Sequence, residues 1–543
     1  MLPMSETYYS ISFIDFISHH PSPFTILLAA LIFSVLVYKL WFSITTPKRN
    51  LPPSPPTLPI IGNLHQLIGL YTHRTLQSLS LRYGPVMLLR LGSVPVLVIS
   101  SAAAAREIFK TNDHAFSNRI KSLTLEKLLY NYKDVGTAPY GEYWRQTRSL
   151  CVLHMLSKKR VLSYRAIREE ESILMVEKIR NYSRNNHHGA VNLSDLFSRM
   201  TNNVVCRVAL GRKYDEESDA KRSRRLLGEL TELMGTFNIG DYIPKLAWLN
   251  RLNGLDGRIE KVAKEFDEFL EGVLHERMNI NDNVIGNIED QNALVDILLW
   301  IQRENLLGSP FDKTCVKAII LDMFGAGIET SFAVLEWAMT ELLRHPNAME
   351  KLQNEVRTAI CSKKSNTSTT EDNDYVTEDD LEKMPYLKAV LKETLRLHPP
   401  IPILLPRLST QDVKISGYDV VSGTQVFINA WAIGKDSATW EDEPEKFEPE
   451  RFLFKNAEVD YKGHDFGLIP FGAGRRGCPG INFAMSINEL ALASVIHKFD
   501  WAFLTGEESS NHHMIETTGI TKRRKFSLMA VPTEYCDQPG SIY

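Results

Sequence analysis

Phe471-Gly-Ala-Gly-Arg-Arg-Gly-Cys-Pro-Gly480 is the stretch on which the reading of this chain turns. One cysteine, Cys478, sits among glycines at 472, 474, 477 and 480, with arginines at 475 and 476. A buried thiol stays protonated unless nearby positive charge or a metal favours the anion. The glycines let backbone N–H groups turn toward the sulfur, and Phe471 can cover one face of a flat cofactor. The stretch reads as a loop holding a thiolate metal ligand. A glycine-rich turn around a core cysteine is the plainer alternative. The full spacing of Phe471, Gly474, Arg476, Cys478 and Gly480 is far rarer by chance.

These residues resemble the haem-binding loop of the cytochrome P-450 family, Phe-x-x-Gly-x-Arg-x-Cys-x-Gly, with every anchor present. The resemblance runs from about Leu51 to about Pro532 and is of the plant, microsomal, A-type kind. It implies a mainly α fold with small β-sheets, an α+β architecture, built around haem b. It makes Cys478 the axial ligand of the haem iron and sets Phe471, Gly472 and Arg476 against the cofactor. Thiolate ligation of haem iron favours O–O bond cleavage.

The rest of the chain carries further signals. Its 543 residues are long for one domain, but no break in composition below Pro59 marks a second module. With 62 basic against 65 acidic residues there is no basic excess for nucleic acid. Six cysteines, at 151, 206, 315, 361, 478 and 536, show no paired spacing. That argues against a disulfide framework or a zinc site and fits a reducing compartment.

Phe24 to Phe42 is almost wholly apolar and about long enough to cross a bilayer as a helix. No Lys or Arg precedes it, while Lys39, Lys48 and Arg49 end or follow it, so the remainder is expected in the cytosol. The prolines of Leu51-Pro-Pro-Ser-Pro-Pro-Thr-Leu-Pro59 favour a stiff, extended connector. The expected organisation is an anchor over 1–46, a proline-rich hinge over 47–62 and a catalytic domain over 63–543. By resemblance this is a single-pass protein of the endoplasmic reticulum membrane, in contact with its lipid.

Tyr83–Gly92 and Val94–Ser100 read as strands joined at Gly92-Ser93, and Ala102–Lys110 as a helix. Trp144 and Arg148 share a helix face, and an indole stacked with a guanidinium suits a carboxylate. By resemblance the two bind a haem propionate, as do Arg119 and Arg407. Val152 to about Met278 reads as charged helix, and Phe237–Trp248 as an apolar, helix-breaking lid. Gly417–Ala430 reads as a hairpin.

Cys315–Arg344 is a long helical pattern interrupted by Gly325-Ala-Gly-Ile-Glu-Thr330. Each glycine costs a helix about 1 kcal/mol, so something must offset it. A ligand lying on the backbone, an opened hydrogen-bond ladder that admits water, and tight packing against a neighbour all would. The stretch resembles the family's Ala-Gly-x-Asp/Glu-Thr motif. That makes Glu329 and Thr330 the acid and alcohol that relay protons to bound dioxygen, and Met323, Phe324 and Ala326 walls of the substrate chamber. Leu404 and Leu405 are expected to face the substrate too. Glu393 and Arg396 lie one helical turn apart between apolar flanks. With Arg451 of Pro449-Glu-Arg-Phe452 they are expected to form a buried triad.

The resemblance implies a monooxygenase that oxidises a C–H bond with O2. No flavin or nicotinamide motif is present, so NADPH electrons come through a partner NADPH–cytochrome reductase, with a cytochrome b-type protein as a further donor. An apolar chamber suits a small lipophilic substrate: an indole alkaloid, coumarin or terpenoid, hydroxylated, rearranged or cyclised. Phe324 favours flat aromatic ones. The alternatives are an oxygen-independent haem-thiolate isomerase or dehydratase, which would tend to lack the Glu329–Thr330 pair, and a non-catalytic membrane haem protein.

Overall fold

The computed structural model describes residues 49–535 except 68, 70, 187–188, 214–216, 282–292, 307–310, 367–374, 442 and 505–513, and seven residues between 26 and 37. It divides into two compact units, Met1–Leu51 and Pro52–Tyr543. In the first, the expected anchor lies mostly outside the described residues, and the seven described ones are helical.

The second unit is mainly helical. The helices that build the site are α1 (Glu142–Leu150), α2 (Leu193–Leu210), α3 (Glu217–Met234), α4 (Leu255–Asn281), α5 (Lys313–Arg344), α6 (Pro385–Leu397) and α7 (Ile481–Lys498). Helix α5 runs through the centre and packs on α2, α3, α6 and α7. Asp312 caps its start, accepting the N–H of Cys315 at 2.9 Å, and Pro346 follows its end. It is long and apolar enough to cross a membrane, but 67% of its apolar window is buried inside the fold. Its hydrophobicity belongs to the core.

Among the described residues, ten short strands make three sheets. One runs in the order β1 (Val86–Leu91), β2 (Val94–Ile99), β8 (Gln425–Ile428), β5 (Arg407–Leu408) and β3 (Asn118–Arg119), with β2 and β8 parallel. The second has β10 (Met529–Glu534) between β4 (Val191–Asn192) and β9 (Phe499–Phe503), and the third pairs β6 (Val413–Ile415) with β7 (Tyr418–Val420). The β1–β2 hairpin turns where expected. Gly92 there has φ +58°, and a Cβ would lie 2.5 Å from the Tyr242 carbonyl oxygen, so only glycine fits.

Several local readings change. The helix from Ala102 stays α only to Arg106 and continues as a π turn over Glu107–Thr111. A second π turn, Cys151–Met155, extends α1. Gly417–Ala430 is no hairpin: β7 pairs backward with β6, and β8 joins the large sheet. The apolar lid contains short helical turns, Ile239–Tyr242 and Pro244–Leu246, and leaves Phe237 and Trp248 exposed. Part of the expected hinge is docked. The Pro53 carbonyl accepts the Leu88 N–H of β1 at 2.9 Å, and Asn63 bonds the Pro55, Pro56 and Arg90 backbones.

Candidate active site

The Cys478 loop is shaped by its glycines. Gly472 and Gly474 take φ near +66° and +67°, and a Cβ on Gly474 would lie 2.5 Å from Asp113 Oδ1. Cys478 N–H closes the loop on the Phe471 carbonyl at 2.9 Å. Gly480 N–H points at the sulfur, 3.3 Å from Sγ, and α7 begins at the next residue. Burial pushes the thiol up, while that N–H and Arg148 oppose the shift. Cys478 is unpaired and keeps open surface. Phe471 is half-buried, edge-on to Tyr461 with centroids 5.7 Å apart.

Around the loop lies a cluster of cations. The β3–β5 register sets Arg119 directly opposite Arg407. Arg119 donates to the Gly136 carbonyl at 2.9 Å and Pro406 at 3.1 Å. Arg407 donates to Asp113 at 3.2 Å and the Ala473 carbonyl at 2.7 Å. Arg476 donates to the Ser117 and Ala138 carbonyls at 2.7 and 2.6 Å. Arg148 Nη2 donates to the Gly477 carbonyl at 2.6 Å. The guanidinium stacked on Trp144 is Arg476, 4.0 Å from the ring centroid, rather than Arg148. The Trp144 indole donates to Val135 O at 3.1 Å.

Most of these bonds end on neutral carbonyls. Burial, then the neighbouring Arg407 and Arg148, lower Arg476 to about 9, against the pull of Asp134. Arg119 is depressed well below an ordinary arginine by burial, then by Arg407 and Arg476. Like charges facing across strands are destabilising. Asp113, the carboxylate of Arg407, is shared with Arg475 at 2.9 Å. A cluster held this way is short of negative charge, which an anionic ligand would supply.

Helix α5 offers the facing wall. Asp322, Ala326 and Thr330 are spaced four apart on one face. Ala326 is exposed although the helix is otherwise largely buried, and Asp322 and Thr330 are half-buried. An open strip inside a core helix marks an interior hollow. Gly325 and Gly327 flank it and face Leu230 and Val205, where an added Cβ would stand 3.5 and 3.4 Å away. A Cβ at either position would make only ordinary van der Waals contact, so helix packing does not by itself require the glycines, while Ala326 opens on the hollow. Thr330 Oγ1 donates to the Ala326 carbonyl. Glu329 is buried, and burial raises its pKa; its Oε2 lies 3.5 Å from Arg523 Nε. Beside it is a polar cavity of about 110 Å³, lined by Thr231, Glu232, Glu329, Thr517, Thr521 and Arg523 among others.

The sequence profile described as Cytochrome P-450 matches residues 52–528. The chain belongs to the cytochrome P-450 family. It is 56% identical to cytochrome P-450 736A117 of Prunus mume over 94% of this chain and 95% of that one. It is 52% identical to cytochrome P-450 71A6 of Nepeta racemosa, over 89% and 94%. A zebrafish cytochrome P-450 solved with abiraterone matches with TM-score 0.70 and 25% identity, over 86% of this chain and all of that one. As a cytochrome P-450 this chain is a monooxygenase, an oxidoreductase of a haem-binding family. The residues present fit haem: a half-open thiol, a cluster of buried arginines short of anions, and an open helix face.

The expected triad is assembled. Arg396 donates through Nε and Nη2 to the two Glu393 oxygens, both at 2.6 Å, and both side chains are fully buried. Arg451 Nε stands 3.6 Å from Glu393 Oε1, and the Glu448 N–H reaches that oxygen at 2.9 Å.

The chamber walls need one correction. Phe324 is 1% exposed, edge-on to Phe269 of α4 at 6.2 Å, so it packs between helices. Two residues after Asp322, it falls on the opposite side of α5 from the open strip. The aromatic preference drawn from it loses its basis. Met323 is half-buried against the core, Leu404 is buried, and Leu405 is half-buried near Gly136. Asp322, Asp113 and Arg523 are site residues that motif reading missed. The sole charge in Ala318-Ile-Ile-Leu-Asp322-Met-Phe, four before Ala326, was a signal for the first.

Glu336, two turns past Glu329, accepts from the Ser194 hydroxyl and from Arg524 N–H at 3.0 Å, and burial raises it to about 7. Glu489 is likewise raised to about 7 by burial. Between their ordinary 4.5 and 7 the folded chain holds protons that the unfolded chain has released. Stability therefore falls as pH rises through that window. Glu336→Gln is expected to flatten the decline of Tm between about pH 5 and about pH 7.5. An unchanged slope would place the titration elsewhere.

Proposed function

We propose that this chain is a membrane-anchored haem-thiolate monooxygenase that hydroxylates, or oxidatively rearranges or cyclises, a small lipophilic plant metabolite. An indole alkaloid, a coumarin or a terpenoid are the candidates. Residues 1–46 anchor it in the endoplasmic reticulum membrane and 47–62 form the hinge, with the catalytic domain over 63–543 in the cytosol. NADPH electrons arrive through a partner reductase. The observation that carries this reading is Cys478 in a glycine-shaped loop amid an arginine cluster, with Thr330 on the open strip of α5 and Glu329 buried beside it.

Cys478 would hold haem through its sulfur, and the bound group would supply activation of dioxygen. Arg119, Arg148, Arg407 and Arg476 would hold its two carboxylates, with Trp144 stacked against Arg476, and Phe471 and Gly472 would lie against it. Ala326, Leu405 and Met323 line the substrate side. Glu329 keeps a proton on its carboxyl to higher pH than an exposed glutamate. The polar cavity beside it links it toward Glu232 and Arg523. Thr330 Oγ1 carries the proton onward as general acid.

NADPH and oxygen consumption in the presence of reductase, scored against a plant-metabolite panel, test the reading. Spin-state shifts of the haem spectrum identify the ligands that bind. Consumption without oxidised product from any panel member would remove the proposed substrate classes. Glu329→Gln is expected to slow product formation by about a hundredfold, with haem content unchanged and more hydrogen peroxide released per NADPH. Wild-type rates in that variant would take Glu329 out of the relay.

A further inference from the structure

Asp322 lies on the open face of α5, two turns before Thr330. Its Oδ2 accepts the backbone N–H of Val135 at 2.6 Å and of Gly136 at 3.4 Å. The carbonyls of the same two residues serve the cation cluster. Val135 O accepts Trp144 Nε1 at 3.1 Å and Arg476 Nη1 at 3.4 Å. Gly136 O accepts Arg119 Nε at 2.9 Å. One short turn therefore has its N–H groups on the central helix and its carbonyls on three groups of the cofactor site.

The turn fits closely. Asp134 closes it by accepting the N–H and Oγ1 of Thr137, both at 2.6 Å. A Cβ on Gly136 would stand 3.3 Å from Asp134 Oδ2, 3.7 Å from Asp322 Oδ1 and 3.9 Å from Leu405. Burial, then the neighbouring Asp134, pushes Asp322 well above an ordinary carboxyl. A second interior carboxyl is costly, and its hydrogen bonds are its compensation.

We propose that Asp322 is a positioning residue for the cofactor: it fixes the 134–137 turn, whose carbonyls set Arg119 and Arg476 to receive the two haem carboxylates and hold Trp144 against Arg476. This rests on the haem-thiolate reading. Asparagine keeps an acceptor oxygen at the same reach, whereas leucine leaves two N–H groups without a partner.

The test uses the full-length holoprotein and reads haem transfer to excess apomyoglobin together with amide hydrogen exchange. Asp322→Leu is expected to release haem about tenfold faster, the loss of one to two interior hydrogen bonds. The amides of 134–137 exchange faster in it while those of α5 do not. Asp322→Asn stays within about twofold of wild type. Release at the wild-type rate from the leucine variant, or faster release with unchanged exchange at 134–137, overturns the proposal. Should the leucine variant not fold, wild-type protein decides: its Val135 and Gly136 amides exchange as slowly as those of α5, and open-loop rates there overturn it. A wild-type holoprotein without thiolate-ligated haem would instead overturn the reading beneath.

Discussion

Cys478→Ser removes the red-shifted absorption that the reduced, carbon monoxide-bound protein shows with a thiolate on its iron, and with it all oxidation. The native sulfur lies within reach of one backbone N–H and is influenced by Arg148. Those aids suffice for a thiol, whose free pKa is about 8.5. An alcohol is a far weaker acid, and the same surroundings cannot make it an anion at neutral pH. Serine therefore leaves the iron without its electron-rich ligand while changing side-chain volume little. Cys315→Ser is the control, since that thiol is buried at the start of α5 and bonds nothing in the site. The result is read from difference spectra of equal haem concentrations. A serine variant that kept the native band would mean that sulfur 478 is no ligand.

Arg396→Ala is expected to give protein that carries no haem. Arg396 and Glu393 are both fully buried and joined by two parallel bonds, and Arg396 also donates to the carbonyls of Gly434 at 2.6 Å and Lys446 at 3.0 Å. Alanine strands the Glu393 carboxylate with the Glu448 N–H and a guanidinium 3.6 Å away. Breaking such a pair costs about 3–5 kcal/mol, a large part of the about 5–15 kcal/mol that holds a domain folded. The damage is directed at the cofactor. Trp440 and Phe452 pack with Leu468 and Ala389, and that cluster carries the chain into the loop that begins at Phe471. Arg396→Lys is expected to recover part of the haem, since an ammonium keeps the charge but not the fork. Haem-to-protein ratio and thermal unfolding give the answer, and full haem occupancy in the alanine variant would dissolve the triad as a structural device.

What could be read from the sequence was local. The Cys478 loop, the α5 pattern and the Glu393–Arg396 spacing each state their geometry within a few residues. The β1–β2 hairpin does so through Gly92. Residues meeting over long sequence separations were harder. Arg476 displaced Arg148 from the Trp144 ring because the fold brings position 476 over that face, and no spacing within 144–148 records it. Arg523 reaches Glu329 from almost two hundred positions away. The π turns after Arg106 and Leu150 differ from α-helix by one hydrogen-bond step, for which propensity has no signal. Phe324 was misplaced because a helix face was assigned by motif rather than by counting from Ala326.

The arginine pairing across β3 and β5 bears on how the protein comes to exist. A newly made chain without its prosthetic group must close this region against its own repulsion. Binding that occurs only in the native state adds stability in proportion to the logarithm of ligand concentration. The supply of haem during synthesis should therefore govern how much of the chain escapes degradation. Abundance in a haem-starved cell should fall further than message level does, and neutralising Arg119 or Arg476 should soften that dependence even as it weakens the mature enzyme.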